Sequence, residues 1–193
     1  MLNEFIPSRA MLVIQGTVPA PLSSALIAMW RMGFGPIIGQ ALMLITTTGK
    51  THNQPRRALV EYFFVYGKKY VYADPNVDWY RDVMADSHLT LQTPLGTERV
   101  VARRINEDEV MEIFVTLMNN RPAMAQRILS ALHVQAFPDD LVGNIDRLHL
   151  LTFDPTDDPT PPPLEVDLKW VPPLVAAAWL LGRLGGRRRS DEG

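Results

Sequence analysis

The residues that could do chemistry are concentrated in one short polar stretch, ITTTGKTHNQPRR, at positions 45–57. A β-branched run ends at Gly49, and two cations, Lys50 and Arg56, flank the polar residues that follow. Gly49 allows a positive φ, and Asn53 belongs to the non-glycine type that tolerates one best. Backbone N–H groups in such a turn form a concave anion site, and nearby cations add charged contacts. The stretch therefore has the parts of a phosphate-binding turn, although a solvated hairpin loop has the same composition.

Other familiar catalytic patterns are missing from the sequence. The chain has no cysteine, which excludes disulfides, thiolate metal sites and cysteine nucleophiles. His88, His133 and His149 have no ligand spacing, so we predict no metal site. No Ser-His-Asp set, no paired carboxylates and no GxGxxG after a strand is present. We therefore predict no catalytic side chain from the sequence.

Length and charge set the class of protein. With 193 residues the chain can form one domain of ordinary size. Its net charge of −2 gives no global field for nucleic acid, so we predict no nucleic-acid partner. The missing cysteines fit a reducing compartment, the first residues lack the layout of a signal peptide, and no apolar run is long enough to span a bilayer. We therefore expect a cytoplasmic protein.

Hydrophobic patterns predict strands interspersed with short helices. We expect helices at 20–34, 77–86, 106–120 and from Pro122 onward, and strands at 41–48, 58–66, 68–73, 88–94, 97–105 and 148–154. Asn106, followed by three acids, is a good N-cap. The strand at 41–48 is almost wholly apolar, as in a strand that is buried on both faces. This buried first strand, two later hairpins and the short helices between them favour an α+β fold that is mainly β, a closed or partly closed antiparallel barrel with helical additions.

Proline content divides the C-terminal part of the chain. Residues 154–167, DPTDDPTPPPLEVD, are rich in proline and show no apolar period. We predict a barrel domain with an N-terminal helix over 1–153, a linker or extended arm over 154–167, and an apolar helix with a basic tail over 168–193. The last segment is expected to contact an anionic membrane surface peripherally, or else to pack on the barrel or in a homodimer.

The run TTTGKTHNQPRRALVEYFFVYGKKYVYAD, followed by DWYRDVMADSHLTLQT, resembles the deazaflavin (F-420)-dependent nitroreductase family of split β-barrel flavoproteins. The similarity extends from about Leu42 to Val101, and NNRPAMAQRIL and LHLLTFDPT resemble the family's closing helix and strand. The resemblance implies a split β-barrel like that of FMN-binding proteins. It also implies a reductase that passes hydride from reduced coenzyme F-420 to a small-molecule acceptor that is unsaturated, quinone-like or nitro-bearing.

The resemblance also implies which residues hold the cofactor. Gly49, Lys50, Pro55 and Arg56 match the family's typical run TTTGRKSG-x-PR, which holds the phosphate. Thr51, His52 and Asn53 stand where the family usually has a basic residue, Ser or Thr, and Gly. Ala73 and Asp74 fall where the family's chain passes the deazaflavin ring, and Trp79 belongs to a WY pair beside the cofactor. The predicted cofactor-binding residues are Gly49, Lys50, Thr51, His52, Asn53, Gln54, Pro55, Arg56, Ala73, Asp74 and Trp79.

The acceptor and the cofactor both leave alternatives open. Tyrosines that line the substrate pocket of some relatives are missing from NNRPAMAQRILSALHV, so no nitroaromatic or quinone specificity carries over. FMN could replace the deazaflavin. A non-enzymatic carrier of a deazaflavin, haem or lipid-like ligand is the alternative from a different class of protein.

Overall fold

A computed structural model describes residues 17–132, 141, 143–144 and 147–169 of the chain. The helices within these residues are α1 (Ala20–Met29), α2 (Gly35–Ile38), α3 (Asp78–Ala85), α4 (Glu107–Asn120) and α5 (Pro122–Leu132), with a π-helical turn at Trp30–Phe34. The strands are β1 (Leu42–Thr48), β2 (Pro55–Glu61), β3 (Phe63–Val65), β4 (Lys68–Tyr72), β5 (His88–Thr93), β6 (Gly96–Arg104) and β7 (Leu150–Pro155). None of the described helices combines the length and the apolar character needed to cross a bilayer.

The seven strands form one antiparallel sheet in the order β2-β1-β5-β6-β7-β4-β3. Its two edge strands, β2 and β3, follow each other in the chain and are joined only by Tyr62. Because neighbouring strands lie about 4.8 Å apart, a single residue cannot bridge the two edges of a flat seven-stranded sheet. The sheet therefore curls until its edges approach each other, and the barrel is split between β2 and β3. This confirms the predicted antiparallel barrel with helical additions.

The stretch 58–66, predicted as one strand, forms parts of two strands. β2 pairs with β1 and ends at Glu61, whereas β3 pairs with β4 and begins at Phe63. The residue between them, Tyr62, is anchored outside the sheet, because its hydroxyl donates to the Gly39 carbonyl oxygen at 2.9 Å. Apolar composition could not mark this break, since the residues on both sides of it are buried.

The N-terminal helical region also differs from the prediction of one helix ending at Gly35 and Pro36. α1 ends at Met29, and Gly33, with a φ of 96°, breaks the regular helix inside the π-helical turn. Gly35 and Pro36 instead begin α2, where proline is tolerated because the first-turn N–H groups have no helical acceptor.

Apolar side chains fill the barrel and fix the helices around it. The interior cluster includes Met43, Ile45, Val60, Leu89, Leu91 and Leu151 from the strands and Trp79, Tyr80 and Val83 from α3. A second cluster packs α4 and α5 against β3 and β4, and a third packs α1 against β1 and β2. The prediction that Asn106 caps α4 is confirmed, since Asn106 and Glu109 form a reciprocal capping box. Because α3 is fixed in the barrel core, its charged residues are held beside the β1–β2 turn.

Residues 156–167 form an extended arm that packs on the sheet. The Gln92 side chain donates to the Leu164 carbonyl oxygen at 3.0 Å and accepts from the Leu164 N–H at 2.7 Å. Leu164 is buried in the same cluster as α1, and the Asp167 N–H donates to the Arg31 carbonyl oxygen at 2.7 Å. The predicted C-terminal helix and basic tail lie, from residue 170 on, outside the described residues.

Candidate functional site

The predicted phosphate turn connects β1 to β2 and is closed by its own backbone. The Gly49 N–H donates to the Gln54 carbonyl oxygen at 2.9 Å, and the Asn53 N–H donates to the Gly49 carbonyl oxygen at 2.9 Å. Asn53 has a φ of 51°, which is the left-handed conformation required of a residue that replaces glycine. The turn thus has a defined shape without glycine at position 53.

A cavity of about 410 Å³, here called the turn cavity, lies along this turn. Its lining residues are Gly49, Thr51, His52, Gln54, Pro55 and Arg56. Among the described contacts, no acceptor is bonded to the N–H groups of Thr51, His52 and Gln54. These donors are therefore available to an anion, whereas the Asn53 N–H is used within the turn.

Gly49 is required by close packing at the base of the turn. A Cβ at this position would lie 2.7 Å from Cδ and 3.0 Å from Cγ of Arg56, and 3.1 Å from the Gln54 carbonyl oxygen. Contacts this short would force the arginine stem to move. The glycine therefore lets the Arg56 side chain run directly over the turn.

Arg56, at the start of β2, is the cation at the centre of the site. Its Nη2 donates to Asp78 Oδ2 at 2.6 Å, and its Nη1 lies 3.5 Å from Asp82 Oδ2. The Arg56 side chain is 48% exposed and also borders a second cavity. A phosphate that binds this guanidinium would therefore compete with the exposed carboxylate of Asp78.

Asp82 holds the turn in place, and the sequence reasoning missed it. Its side chain is only 3% exposed. Oδ1 accepts the Lys50 N–H at 3.0 Å, and Oδ2 accepts the Thr47 hydroxyl at 3.4 Å. The spacing of Asp78 and Asp82 in DWYRD could have indicated it, because residues four apart lie on one face of a helix. The Lys50 N–H is thereby used inside the protein.

The second cavity, of about 520 Å³, lies between the starts of α1, β2 and α3 and is here called the α1 cavity. Trp79 lines this cavity, and its indole N–H donates to the Thr17 hydroxyl at 3.0 Å. Arg56 borders the α1 cavity as well as the turn cavity. Two of the predicted site elements, the turn arginine and the WY tryptophan, are thus brought together.

Ala73 and Asp74 lie at the end of β4 and line neither the turn cavity nor the α1 cavity. Ala73 is fully buried, and its N–H donates to the His149 carbonyl oxygen at 2.9 Å. Asp74 Oδ1 accepts the Asn76 N–H at 2.7 Å. In the described structure these two residues lie in the segment that leads from β4 to α3, and the fold does not bring them together with the turn.

A small cavity of about 240 Å³ is lined by residues that include Lys50 and Tyr80 of α3. The Tyr80 hydroxyl and His149 Nδ1 are hydrogen-bonded at 2.9 Å. Burial raises the pKa of Tyr80, while burial and the charge of Arg104 lower the pKa of His149. Burial therefore favours the uncharged form of both side chains. Among the described residues no cluster of metal-ligating side chains occurs.

No protein-family model and no curated protein matches the chain. Solved structures that are similar to it include an F420-H2 dependent reductase, 20% identical, with 59% of this chain and 93% of that chain covered and a TM-score of 0.42. A protein described as a domain-swapped dimer is 18% identical, with 69% and 98% covered and a TM-score of 0.44. A protein of unknown function from Agrobacterium tumefaciens is 16% identical, with 76% and 60% covered and a TM-score of 0.44. Since all three scores are low, function has to be inferred from the residues of the site.

Proposed function

We propose that this chain is an oxidoreductase that holds reduced coenzyme F-420 by its phosphate at the β1–β2 turn and serves hydride transfer to an unsaturated, quinone-like or nitro acceptor. The deazaflavin supplies the hydride when it is bound. The protein's own part is to bind the phosphate, to orient the ligand and to exclude water.

The observation that carries the proposal is the shape of the turn whose sequence resembles the F-420-dependent family. Gly49 leaves room for the Arg56 stem, and Asn53 takes the conformation of the glycine that it replaces. Three N–H groups without a described acceptor lie in the same turn as a half-exposed guanidinium. Oriented N–H groups beside an arginine are the donors that a phosphate takes. The residues present therefore fit the phosphate of the cofactor.

Charge at the turn is lower than in the family's typical run, but it is sufficient. Thr51 replaces one cation, and Lys50 lines the small cavity and not the turn cavity. A hydrogen bond to a charged group contributes about 1.5–3 kcal/mol. The exposed ion pair that Arg56 makes with Asp78 contributes at most about 1 kcal/mol. At the same half-exposed guanidinium a phosphate is screened as the carboxylate is, so its advantage over Asp78 comes from its further bonds to the N–H groups of Thr51, His52 and Gln54, and these favour displacement of Asp78.

Cofactor exchange tests the proposal most simply. The apo-protein is titrated separately with reduced F-420, FMN and haem, and binding is followed by fluorescence and absorbance. We expect saturable binding of F-420 and, after addition of a quinone, a nitroaromatic or an enone, return of the absorbance of oxidised deazaflavin.

Each other outcome has a defined meaning. Binding of F-420 without oxidation by any acceptor would support the carrier alternative. Tighter binding of FMN would make the chain an FMN-dependent relative. Failure to bind any of the three ligands, by a protein that is folded, would overturn the proposal.

A further inference from the structure

We propose that the α1 cavity binds an anionic group, a carboxylate or a phosphate, through Arg57, Ser23 and the N-terminus of α1. This inference does not depend on which ligand the turn holds. Arg56 borders both cavities, but Arg57 and Ser23 line only the α1 cavity.

Arg57 is a half-buried cation for which the described residues provide no counterion. Residues 56 and 57 of an extended strand point to opposite faces, and both can reach one cavity because β2 is an edge strand. The Arg57 Nε is buried and has no hydrogen-bond partner. Burial, followed by the charge of Arg31, lowers the pKa of Arg57. Among the described residues, no carboxylate forms an ion pair with the half-buried Arg57, so its guanidinium group can bind an anionic ligand.

The N-terminus of α1 presents unused donors to the same cavity. Its N-cap is Pro19, no side chain caps the helix, and its first turn contains no acid. Pro21 has no N–H, and no described acceptor is bonded to the N–H groups of Ala20 and Leu22. A helix start of this kind carries a partial positive charge and favours an anion.

Ser23 gives an independent sign of a ligand. It is 9% exposed and lines the α1 cavity, and no described hydrogen bond uses its hydroxyl. The hydroxyl oxygen is not one of the described buried atoms that lack a partner, so it is open to the cavity and can meet a ligand there. The carboxylate that lines the cavity belongs to Asp78, and it is already bonded to Arg56. The Ser23 hydroxyl thus has no described protein acceptor, and an anion oxygen would supply one.

The rest of the lining indicates the kind of molecule that carries the anion. Val18, Ala58, Val77 and Trp79 form an apolar wall. The volume of about 520 Å³ lies within the range of small-molecule sites. The cavity is therefore suited to an organic acid with an apolar body. That acid is either a separate molecule or another acidic part of the ligand held at the turn.

Benzoate is a suitable probe, because it joins a carboxylate to an apolar ring. It is titrated by calorimetry into the full-length protein without any cofactor, with benzyl alcohol as the uncharged counterpart. We expect benzoate to bind, benzyl alcohol to bind at least tenfold more weakly, and Arg57→Gln to weaken benzoate binding about tenfold or more. Arg99→Gln, which removes an exposed arginine on β6, should leave benzoate binding unchanged.

Ser23→Ala is a second variant and should leave helix α1 unchanged. We expect it to bind benzoate several-fold more weakly than the wild type and to have the same melting temperature. No binding of benzoate to the wild-type protein would overturn the proposal, and so would equal binding by the wild type and both variants. A repeat with protein preloaded with F-420 separates the two sources of the acid. Loss of benzoate binding points to an acidic part of the turn ligand, whereas retained binding points to a separate organic acid. Because the first titration contains no deazaflavin, its failure is distinguishable from failure of the proposed function.

Discussion

Replacing Asp82 should strongly destabilise the protein, whereas replacing Asp78 should have little effect on its stability. Both acids lie on α3 and both face Arg56, but their surroundings differ. The Asp82 side chain is 3% exposed and accepts the Lys50 N–H at 3.0 Å. The Asp78 side chain is 64% exposed, and its described side-chain contact is with Arg56. The pair is therefore a matched test of whether the buried carboxylate builds the turn.

The expected losses follow from these contacts. Asp82→Ala removes a hydrogen bond between a backbone N–H and a buried charge, worth about 1.5–3 kcal/mol, and leaves that N–H without a partner. The bond to the Thr47 hydroxyl, at 3.4 Å, is long and adds little. We expect the free energy of unfolding to fall by about 2–4 kcal/mol, which in a chain of this size lowers the melting temperature by roughly 5–15 °C. Asp78→Ala breaks an exposed ion pair and should cost at most about 1 kcal/mol.

Urea unfolding followed by tryptophan fluorescence measures both losses, because Trp79 adjoins Asp78 in the same helix. Asp82→Asn, which keeps one acceptor oxygen but removes the charge, should fall between Asp82→Ala and the wild type. Equal losses for Asp78→Ala and Asp82→Ala would refute the reasoning, since burial would then not distinguish the two acids.

Two further predictions concern the turn and the arm. Gly49→Ala places a Cβ 2.7 Å from Cδ of Arg56. We expect the free energy of unfolding, measured by thermal unfolding, to fall by about 1–3 kcal/mol and F-420 to bind more weakly. Unchanged affinity would show that the Arg56 side chain does not need to pass over Gly49. Hydrogen bonds to Asp86 and Asp158 raise the pKa of His88, so its contribution to stability is full below its ordinary pKa and is lost as pH rises through the raised value. The melting temperature of wild type relative to His88→Gln should accordingly fall from mildly acidic to mildly alkaline pH, and a constant difference would contradict this.

The strands and the helix cap could be predicted because their signals are local. β1 is buried on both faces and begins with four apolar residues, and Asn106 is followed by the acids that a helix start favours. The break at Tyr62 could not be predicted, because a barrel split is a property of the whole sheet. The path of residues 156–167 depends equally on distant partners, such as Gln92 for Leu164.

The same division applies to the site. The positive φ of Asn53 belongs to a single turn and can be inferred from residue type. Gly49, by contrast, does not take the positive φ that its residue type allows, and glycine is needed there because the Arg56 stem lies so close. The partner of the Lys50 N–H, Asp82, lies 32 residues further along the chain and becomes a neighbour only when α3 packs in the barrel. Arg57 was overlooked because its surroundings are formed by α1 and the cavity, which no short motif records.

The affinity of Arg56→Ala for coenzyme F-420, measured by fluorescence titration beside the wild type and Arg99→Ala, tests the central claim most directly. If the turn holds the cofactor phosphate, the wild type binds saturably and Arg56→Ala binds about tenfold or more weakly, since a charge-assisted contact is lost. Arg99→Ala should bind like the wild type, and all three proteins should have similar melting temperatures. A folded Arg56→Ala variant with wild-type affinity would contradict the claim and leave the turn an ordinary solvated loop.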